Sequence, residues 1–383
     1  MQKILIIHCR YRNLGGEDIA VNNEVKFLEE YFHVKRVDYS NQDTNLINLF
    51  LSLVFNKNFI TLKTIKKEIE FFMPDYVYIH NTWFMVPFSL FKYLKKQNIK
   101  TMIKLHNFRY DCTRSYFVKN HIKNNEICPL CGMRKNKFRV FNKYFKESFL
   151  KSFFIIKYGR KYFKVLSDKY FKLIVLTNFH REYLIKLGIN QNKIFVFQNF
   201  LKISQSTKRT KSTNKYIVYA GRISYEKGVD HLIKAFIEAN MKEYHIKIIG
   251  DGPEYKHFKN KFSSSQVQFY GPLSNSETLD IISRSKAVTT ATTLFEGQPT
   301  LLCEASSLGI PSIFPNTGGI KEFFPEDYEL SFKQFDYGEL VKKIQLLNNE
   351  ELLEVIGNQN QSYILELLES TSLKQKFISL IDE

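Results

Sequence analysis

Short apolar runs alternate with stretches of helical spacing along the first half of the chain. Lys3–His8 (KILIIH) predicts a strand, and Glu17–Tyr31 repeats its apolar positions at helical intervals and predicts a helix. Tyr76–His80 (YVYIH), Thr101–His106 (TMIKLH), Lys172–Leu176 (KLIVL) and Ile194–Phe197 (IFVF) predict further strands, the first two each closing on a histidine. Ser204 to Asn214 (SQSTKRTKSTN) holds no apolar residue and reads as a linker. Tyr216–Ala220 (YIVYA) then opens a second series, with strands predicted at His245–Ile249, Gln266–Tyr270, Ala287–Thr290 and Pro311–Phe314. Strands alternating with helices imply parallel sheets flanked by helices, an α/β fold class. The expected organisation is an N-terminal domain over 1–203, a linker over 204–214, a second domain over 215–365 and a C-terminal helix over 366–383 able to cross back to the first domain. Two such domains in series imply a cleft, and ligands of such sheets bind beyond the carboxyl ends of the strands. The residues just after each strand are therefore where chemistry is sought.

Composition narrows the class without changing that picture. Of 383 residues, 44% are hydrophobic and 25% charged, which excludes disordered and collagen-like chains. The longest apolar run, Leu46 to Phe55, is broken by Asn48 and Ser52 and is half of the ~20 residues a spanning helix needs. The N-terminal MQKILIIHCR reads as a strand and not as a signal peptide, and five scattered cysteines do not make a disulfide framework. A cytoplasmic protein is expected. The formal charge of +18 is uneven: residues 1–200 carry 35 of the 56 Lys and Arg but 15 of the 38 Asp and Glu. Within that half, Arg134 to Lys172 has 13 basic residues, two acids (Glu147 and Asp168), and aromatic residues at three- and four-residue spacing. A basic helix with an aromatic face suits an anionic membrane surface; the alternative is a core helix with a solvated lysine face.

Three strand-end segments of the second half suit a diphosphate. In AGRISYEKG (Ala220–Gly228), Gly221 permits a tight turn, and Arg222 and Lys227 place two cations on a loop entering a helix, where guanidinium, ammonium and helix dipole can hold phosphate oxygens together. In FEGQPTLLCEA (Phe295–Ala305), Pro299 suits the first turn of a helix, and Glu296 and Glu304 bracket its N-terminus, each able to accept from neighbouring hydroxyls of a sugar or a ribose. GDGPE (Gly250–Glu254), with Gly252, is a turn that admits a base or ribose. Solvated cations, a capping Glu and a common turn are the plainer readings of each alone.

Taken in order, AGRISYEKGVDHLIKAF, IIGDGPE and FEGQPTLLCEASSLGIPSI closely resemble glycosyltransferase family 4, most specifically over Tyr216–Gly319. The resemblance implies the GT-B fold, two Rossmann-like domains facing across a cleft, and metal-independent retaining transfer from a nucleotide-sugar donor; no D-x-D motif is present. It implies that Arg222 and Lys227 neutralise the donor diphosphate, that Glu296 lies at the donor sugar, that Glu304 holds the ribose, that backbone amides near Thr300 and Leu301 touch phosphate, and that Gly318 and Gly319 line the donor site. No cofactor is required. The expected base is uracil in preference to guanine.

On the acceptor side, Gly15 and Gly16 follow the first strand, as family members place a Gly-rich loop near donor phosphate and acceptor. His80-Asn81 and His106-Asn107 end two strands; a structural histidine is the plainer reading of either. LHNFRYDC resembles the L-H-N-Y-R-x-x-C segment of bacterial capsule, O-antigen and exopolysaccharide glycosyltransferases, which implies that His106 meets the donor sugar. Trp83 at a strand end suits a sugar face or the core. Cys112, Cys128 and Cys131 form C-x15-C-x2-C, a spacing that suggests structural zinc with His121 or His106 as fourth ligand; the family pattern has a further Cys near Tyr144, which this chain lacks, so a thiol-rich loop without metal is expected and structural zinc is the alternative. The expected acceptor is a lipid-linked saccharide, with an anionic membrane surface as partner through 134–172 and the protein peripheral on the inner face of the cell membrane. Nucleic acid is not an expected partner. Competing readings are a GT-B nucleotide-sugar epimerase and, outside enzymes, a basic nucleic-acid-binding protein whose affinity would fall steeply with salt.

Overall fold

Ile4, Leu5, Ile6 and Ile7 are wholly buried at the centre of β1 (Lys3–Arg10) in a computed structural model that describes residues 1–10, 16–40, 56, 58–82, 85–108, 110, 149–201 and 214–382. Around β1 runs a six-stranded sheet in the order β2 (His33–Ser40), β1, β3 (Tyr76–Asn81), β4 (Lys100–Leu105), β5 (Lys172–Val175) and β6 (Ile194–Val196), every pairing parallel. Its helices are α1 (Gly16–Glu29), α2 (Phe59–Phe72), α3 (Ser89–Lys96), α4 (Phe149–Ser167) and α5 (Asn178–Lys186). A second parallel six-stranded sheet holds β7 (Tyr216–Ala220), β8 (His245–Ile249), β9 (Val267–Gly271), β10 (Ala287–Thr289), β11 (Ser312–Asn316) and β12 (Ser331–Lys333), ordered β12-β11-β10-β7-β8-β9. It carries α6 (Val229–Glu238), α7 (Tyr255–Phe262), α8 (Asn275–Ser283), α9 (Thr300–Ser307), α10 (Tyr337–Gln345) and α11 (Glu350–Leu367). Each sheet belongs to its own unit. These are the two Rossmann-like domains of a GT-B fold.

Two strands escape the sequence pattern, β2 and β12, and both are sheet edges. An edge strand is half solvated, so β2 (HVKRVDYS) shows no apolar run; seven of its eight residues are half-buried and none is fully so. β12 spans three residues, too few for a periodicity.

The last helix, α12 (Ser370–Asp382), belongs to the first unit. Phe377 is wholly buried against Phe32, Tyr78 and Phe197, a burial of roughly 1.5–3 kcal/mol. Tyr76 Oη and Lys172 Nζ donate to the carbonyls of Ile381 and Leu380 at 3.2 and 3.0 Å, satisfying the open end of the helix.

Right-handed crossovers in this strand order put α2, α3 and α4 on one face of the first sheet. Contacts agree: Lys66 of α2 stands over the Tyr93 ring of α3, and Lys95 of α3 pairs with Asp168 just past α4 at 2.8 Å. Within α4, Tyr158 is buried, packs at a tilt beside the Phe88 ring and shares a hydrogen bond with Thr82. Lys157, Lys161 and Lys164 are exposed, and of the aromatic positions expected to look outward Phe153 and Phe163 are half-buried. Residues 134–148 lie outside the described residues.

Candidate functional site

In the second unit, the loops after β7, β10, β11 and β12 meet around one carboxylate. Glu296 Oε1 accepts from Lys227 Nζ at 2.6 Å and from the Thr292 hydroxyl at 2.8 Å. Lys227 closes the short turn Tyr225–Lys227 ahead of α6. Gly228 follows at φ +67, where an added Cβ would stand 1.9 Å from the Ala291 carbonyl oxygen; no side chain fits that approach. Thr293 binds the Glu226 carbonyl through its N–H at 3.0 Å and its hydroxyl at 2.9 Å. These contacts stitch the β7–α6 loop to the β10–α9 loop and bring Lys227 beside Glu296.

From the other side, the Gly319 N–H donates to the Glu296 carbonyl at 2.9 Å. Gly318, at φ +58, sits so close that a Cβ would lie 2.2 Å from the same oxygen. Thr317 Oγ1 donates to the Leu294 carbonyl at 3.1 Å, and Gln334 Nε2 reaches the carbonyls of Thr292 and Leu294, each at 3.3 Å. The glycine pair thus clasps the backbone of Glu296 and fixes its side chain. Both side-chain bonds fall on Oε1; among the described residues Oε2 has no protein partner and keeps its lone pairs for hydroxyls.

Arg222 is exposed, and among the described residues its guanidinium has no ion-pair partner. Its carbonyl accepts from Tyr219 Oη at 2.8 Å. Burial, then the carboxylates of Glu296 and Glu226, push the Tyr219 phenol far above its usual range, so it stays a donor. Gly221 bonds to the Ile249 carbonyl at 3.0 Å, Ile223 to that of Asp251 at 2.9 Å. Gly252 approaches Ile223 so closely that a Cβ would meet its carbonyl oxygen at 2.2 Å. GDGPE therefore buttresses the arginine loop.

Pro299 is the N-cap of α9 and not a residue of its first turn. The Thr300 N–H is occupied by the Gln298 carbonyl at 3.0 Å, whereas the Leu301 amide has no backbone acceptor among the described residues. That leaves an open N–H at the positive end of the helix. Glu304 lies in the second turn, where Asn275 Nδ2 donates to its Oε1 at 3.3 Å and burial raises its carboxyl above the usual range.

In the first unit a pocket opens at the carboxyl ends of β3 and β4, lined by Glu17, His80, His106, Asn107, Tyr158 and Tyr162 among others. His80 Nδ1 and His106 Nε2 are 3.0 Å apart, with the rings stacked at 5.3 Å. Burial, then His106, Lys104 and His8, hold the His80 ring well below the usual histidine range; burial, then Lys104, His8 and His180, do the same for His106. Asn107 Nδ2 donates to Glu17 Oε2 at 3.1 Å. Beneath the pocket Lys104, wholly buried, pairs with Glu24 at 2.7 Å, and Tyr78 Oη donates to Glu24 at 2.8 Å. Gly16 opens α1. Gly15, Trp83, Cys112, Cys128 and Cys131 lie outside the described residues; among those that are described, no group of three metal-ligating side chains forms.

Of the residues singled out in the sequence, the fold thus joins Lys227, Glu296, Gly318 and Gly319 in one cluster. Arg222 shares the lysine's loop without touching the cluster, and Glu304 stands about one turn along α9. Thr292, Asn275 and Gln334 carry no sequence signal, because their partners are set by loops that meet only in the fold.

Residues 202–363 match the family model described as glycosyl transferases group 1. The chain is 31% identical over 146 residues to the sulfoquinovosyl transferase SQD2 of Arabidopsis thaliana, covering 37% of this chain and 28% of that one. It is 23% identical over 164 residues to the amylovoran biosynthesis glycosyltransferase AmsD of Erwinia amylovora, covering 41% and 46%. The matched stretches therefore span less than half of either curated relative. Among solved structures, Anabaena HepE in complex with UDP and glucose aligns over 100% of both chains with a TM-score of 0.70 at 14% identity, a likeness of fold.

Proposed function

Starting from a second unit that carries a group 1 glycosyltransferase domain on a GT-B scaffold, we propose that the protein is a retaining glycosyltransferase of bacterial surface-polysaccharide synthesis, moving a sugar from a UDP-sugar to a lipid-linked saccharide. The observation that carries this reading is the Lys227–Glu296–Thr292 cluster, seated by Gly318 and Gly319 beside the N-terminus of α9. It offers a cation and an open amide to a diphosphate, and a free carboxylate oxygen to sugar hydroxyls. A UDP-bound fold relative and a relative named for amylovoran biosynthesis support the donor and pathway class.

In this reading Arg222 and Lys227 take the charge of the leaving diphosphate as the bond from the anomeric carbon to phosphate oxygen breaks. The acceptor hydroxyl attacks from the same face, and its proton passes to the departing phosphate oxygen, so no protein nucleophile is needed. Glu304 receives the ribose hydroxyls. His106 is assigned to the donor sugar. The decisive test is a thermal-shift and calorimetric screen of UDP, GDP, ADP and their sugars, with Arg222→Ala as control. Selective stabilisation by the uridine ligands, lost in the variant, is the expected result; no nucleotide response overturns the reading.

Docking on an anionic membrane completes the proposal. No helix among the described residues is long and apolar enough to cross a membrane. Support comes from α2 and its exit, which expose Phe59, Ile60, Phe71 and Met73 around the exposed Lys63 and Lys67, and from the lysines of α4 on the same face. An apolar rim with a basic centre matches an acidic lipid surface. Ile60→Ser and Phe71→Ser together are expected to cut sedimentation with phosphatidylglycerol vesicles several-fold while leaving UDP binding unchanged; unaltered sedimentation rejects α2 as the contact.

A further inference from the structure

The first-unit histidine pair has one proton to place between two nitrogens. His80 Nδ1 and His106 Nε2 are 3.0 Å apart, and both rings are neutral, so one ring donates and the other accepts. His80 is buried on β3, and its Nε2 is enclosed without a partner among the described residues. A proton there would be an orphaned buried N–H, which folded proteins rarely tolerate. The low-cost arrangement leaves Nε2 of His80 bare and puts the proton on Nδ1, donating to His106. Nε2 of His106 is then an acceptor, and its own proton sits on Nδ1. That nitrogen has no partner among the described residues and is not enclosed.

We propose that His80 is a positioning residue that sets the tautomer of His106, so that His106 offers an Nδ1–H donor to a ligand oxygen in the pocket at the ends of β3 and β4. The ligand class is a hydroxyl-bearing sugar, and this part rests on the reading of His106 given above. Surrounding groups keep the pair neutral: Lys104 lies beneath it, His8 faces His80 edge-on at 6.3 Å and is itself bonded to Asp18 at 2.9 Å, and His180 is occupied by Tyr110 at 2.9 Å. Glu17, across the pocket, accepts from Asn107. A second proton on the pair would set two adjacent cations against Lys104, so the exchange of donor and acceptor is the only inexpensive change open to it.

Long-range 1H–15N correlation spectra of the full chain, with His106 assigned from the His106→Gln spectrum, read the tautomer directly. Wild-type His106 is expected to be protonated at Nδ1. His80→Phe removes the donor and is expected to move His106 largely to the Nε2–H form, and His80→Asn, whose amide N–H falls near the position of Nδ1, to restore it. Wild-type His106 protonated at Nε2, or an unchanged His106 in a folded His80→Phe protein, overturns the proposal. If His80→Phe does not fold, the wild-type and His80→Asn spectra still decide it. UDP-glucose is the probe for the second half. A shift of the His106 Nδ1 proton in wild type that is lost in His80→Phe supports the assigned use; an Nδ1–H that ignores UDP-glucose leaves the positioning intact and sinks the donor-sugar reading of His106.

Discussion

Lys227→Met is expected to lower sugar transfer by about 10²–10³-fold, the loss typical when one preorganised donor to developing charge is removed. The ammonium stands beside Glu296, 2.6 Å from Oε1. A diphosphate must therefore compete with a carboxylate for it. This gives Glu296→Gln an effect of opposite sign on binding. Without the carboxylate charge the lysine is released, and UDP affinity is expected to rise about two- to fivefold, the worth of a partly exposed ion pair. Transfer should nevertheless fall, because a neutral amide oxygen accepts from the sugar hydroxyls more weakly than the carboxylate does. Arg222→Ala should weaken both, having no carboxylate to release. Isothermal titration with UDP and turnover of the bound UDP-sugar separate the three variants. Glu296→Gln binding UDP more weakly than wild type would show that the ion pair does not gate the site.

Lys104→Met should destabilise the first unit by about 3–5 kcal/mol, among the largest single-residue effects in this chain. Lys104 and Glu24 are both wholly buried, 2.7 Å apart, and Glu24 also accepts from Tyr78 at 2.8 Å. The lysine stands over the Phe197 ring at 4.9 Å. Burial pulls its pKa down, and Glu24 only partly restores it. Removing the cation leaves a carboxylate in an apolar interior with one phenol for company. Lys104→Met combined with Glu24→Gln removes both charges and keeps an oxygen for Tyr78, and should recover most of the loss. Urea unfolding of the two variants measures the coupling. A single variant within about 1 kcal/mol of wild type would mean that the pair is solvated like a surface one.

The pair also explains why the pocket above it is built as it is. A buried ammonium below two imidazoles disfavours their protonation. Neutral histidines at that place can present a lone pair or an N–H but not a charge, which fits hydroxyl recognition better than anion binding.

Ten of the twelve strands among the described residues were legible in the chain because each carries apolar residues in a run or at alternate positions. β2 and β12 were not, since β2 is a half-solvated edge thinned by charged residues and β12 spans three residues. The residues that the fold gathers in the candidate second-unit cluster were conspicuous in the chain too: Lys227, Glu296 and the glycines at 318 and 319 stand out by type and by place after a strand. What they do to one another was not. Gly318 and Gly319 are expected from the resemblance to line the donor site, and in the fold they grip the Glu296 backbone. Thr292, four residues upstream, is an ordinary threonine until the β10–α9 loop bends it onto Oε1. The same holds for His80 and His106, 26 residues apart, which share one proton only because β3 and β4 are neighbours in register. Sequence determines which chemistry is available and on which local element, since periodicity and residue type are local. Which oxygen is engaged, which lysine is already paired and which imidazole nitrogen bears the proton are decided by contacts between distant segments, and only the tertiary structure fixes those.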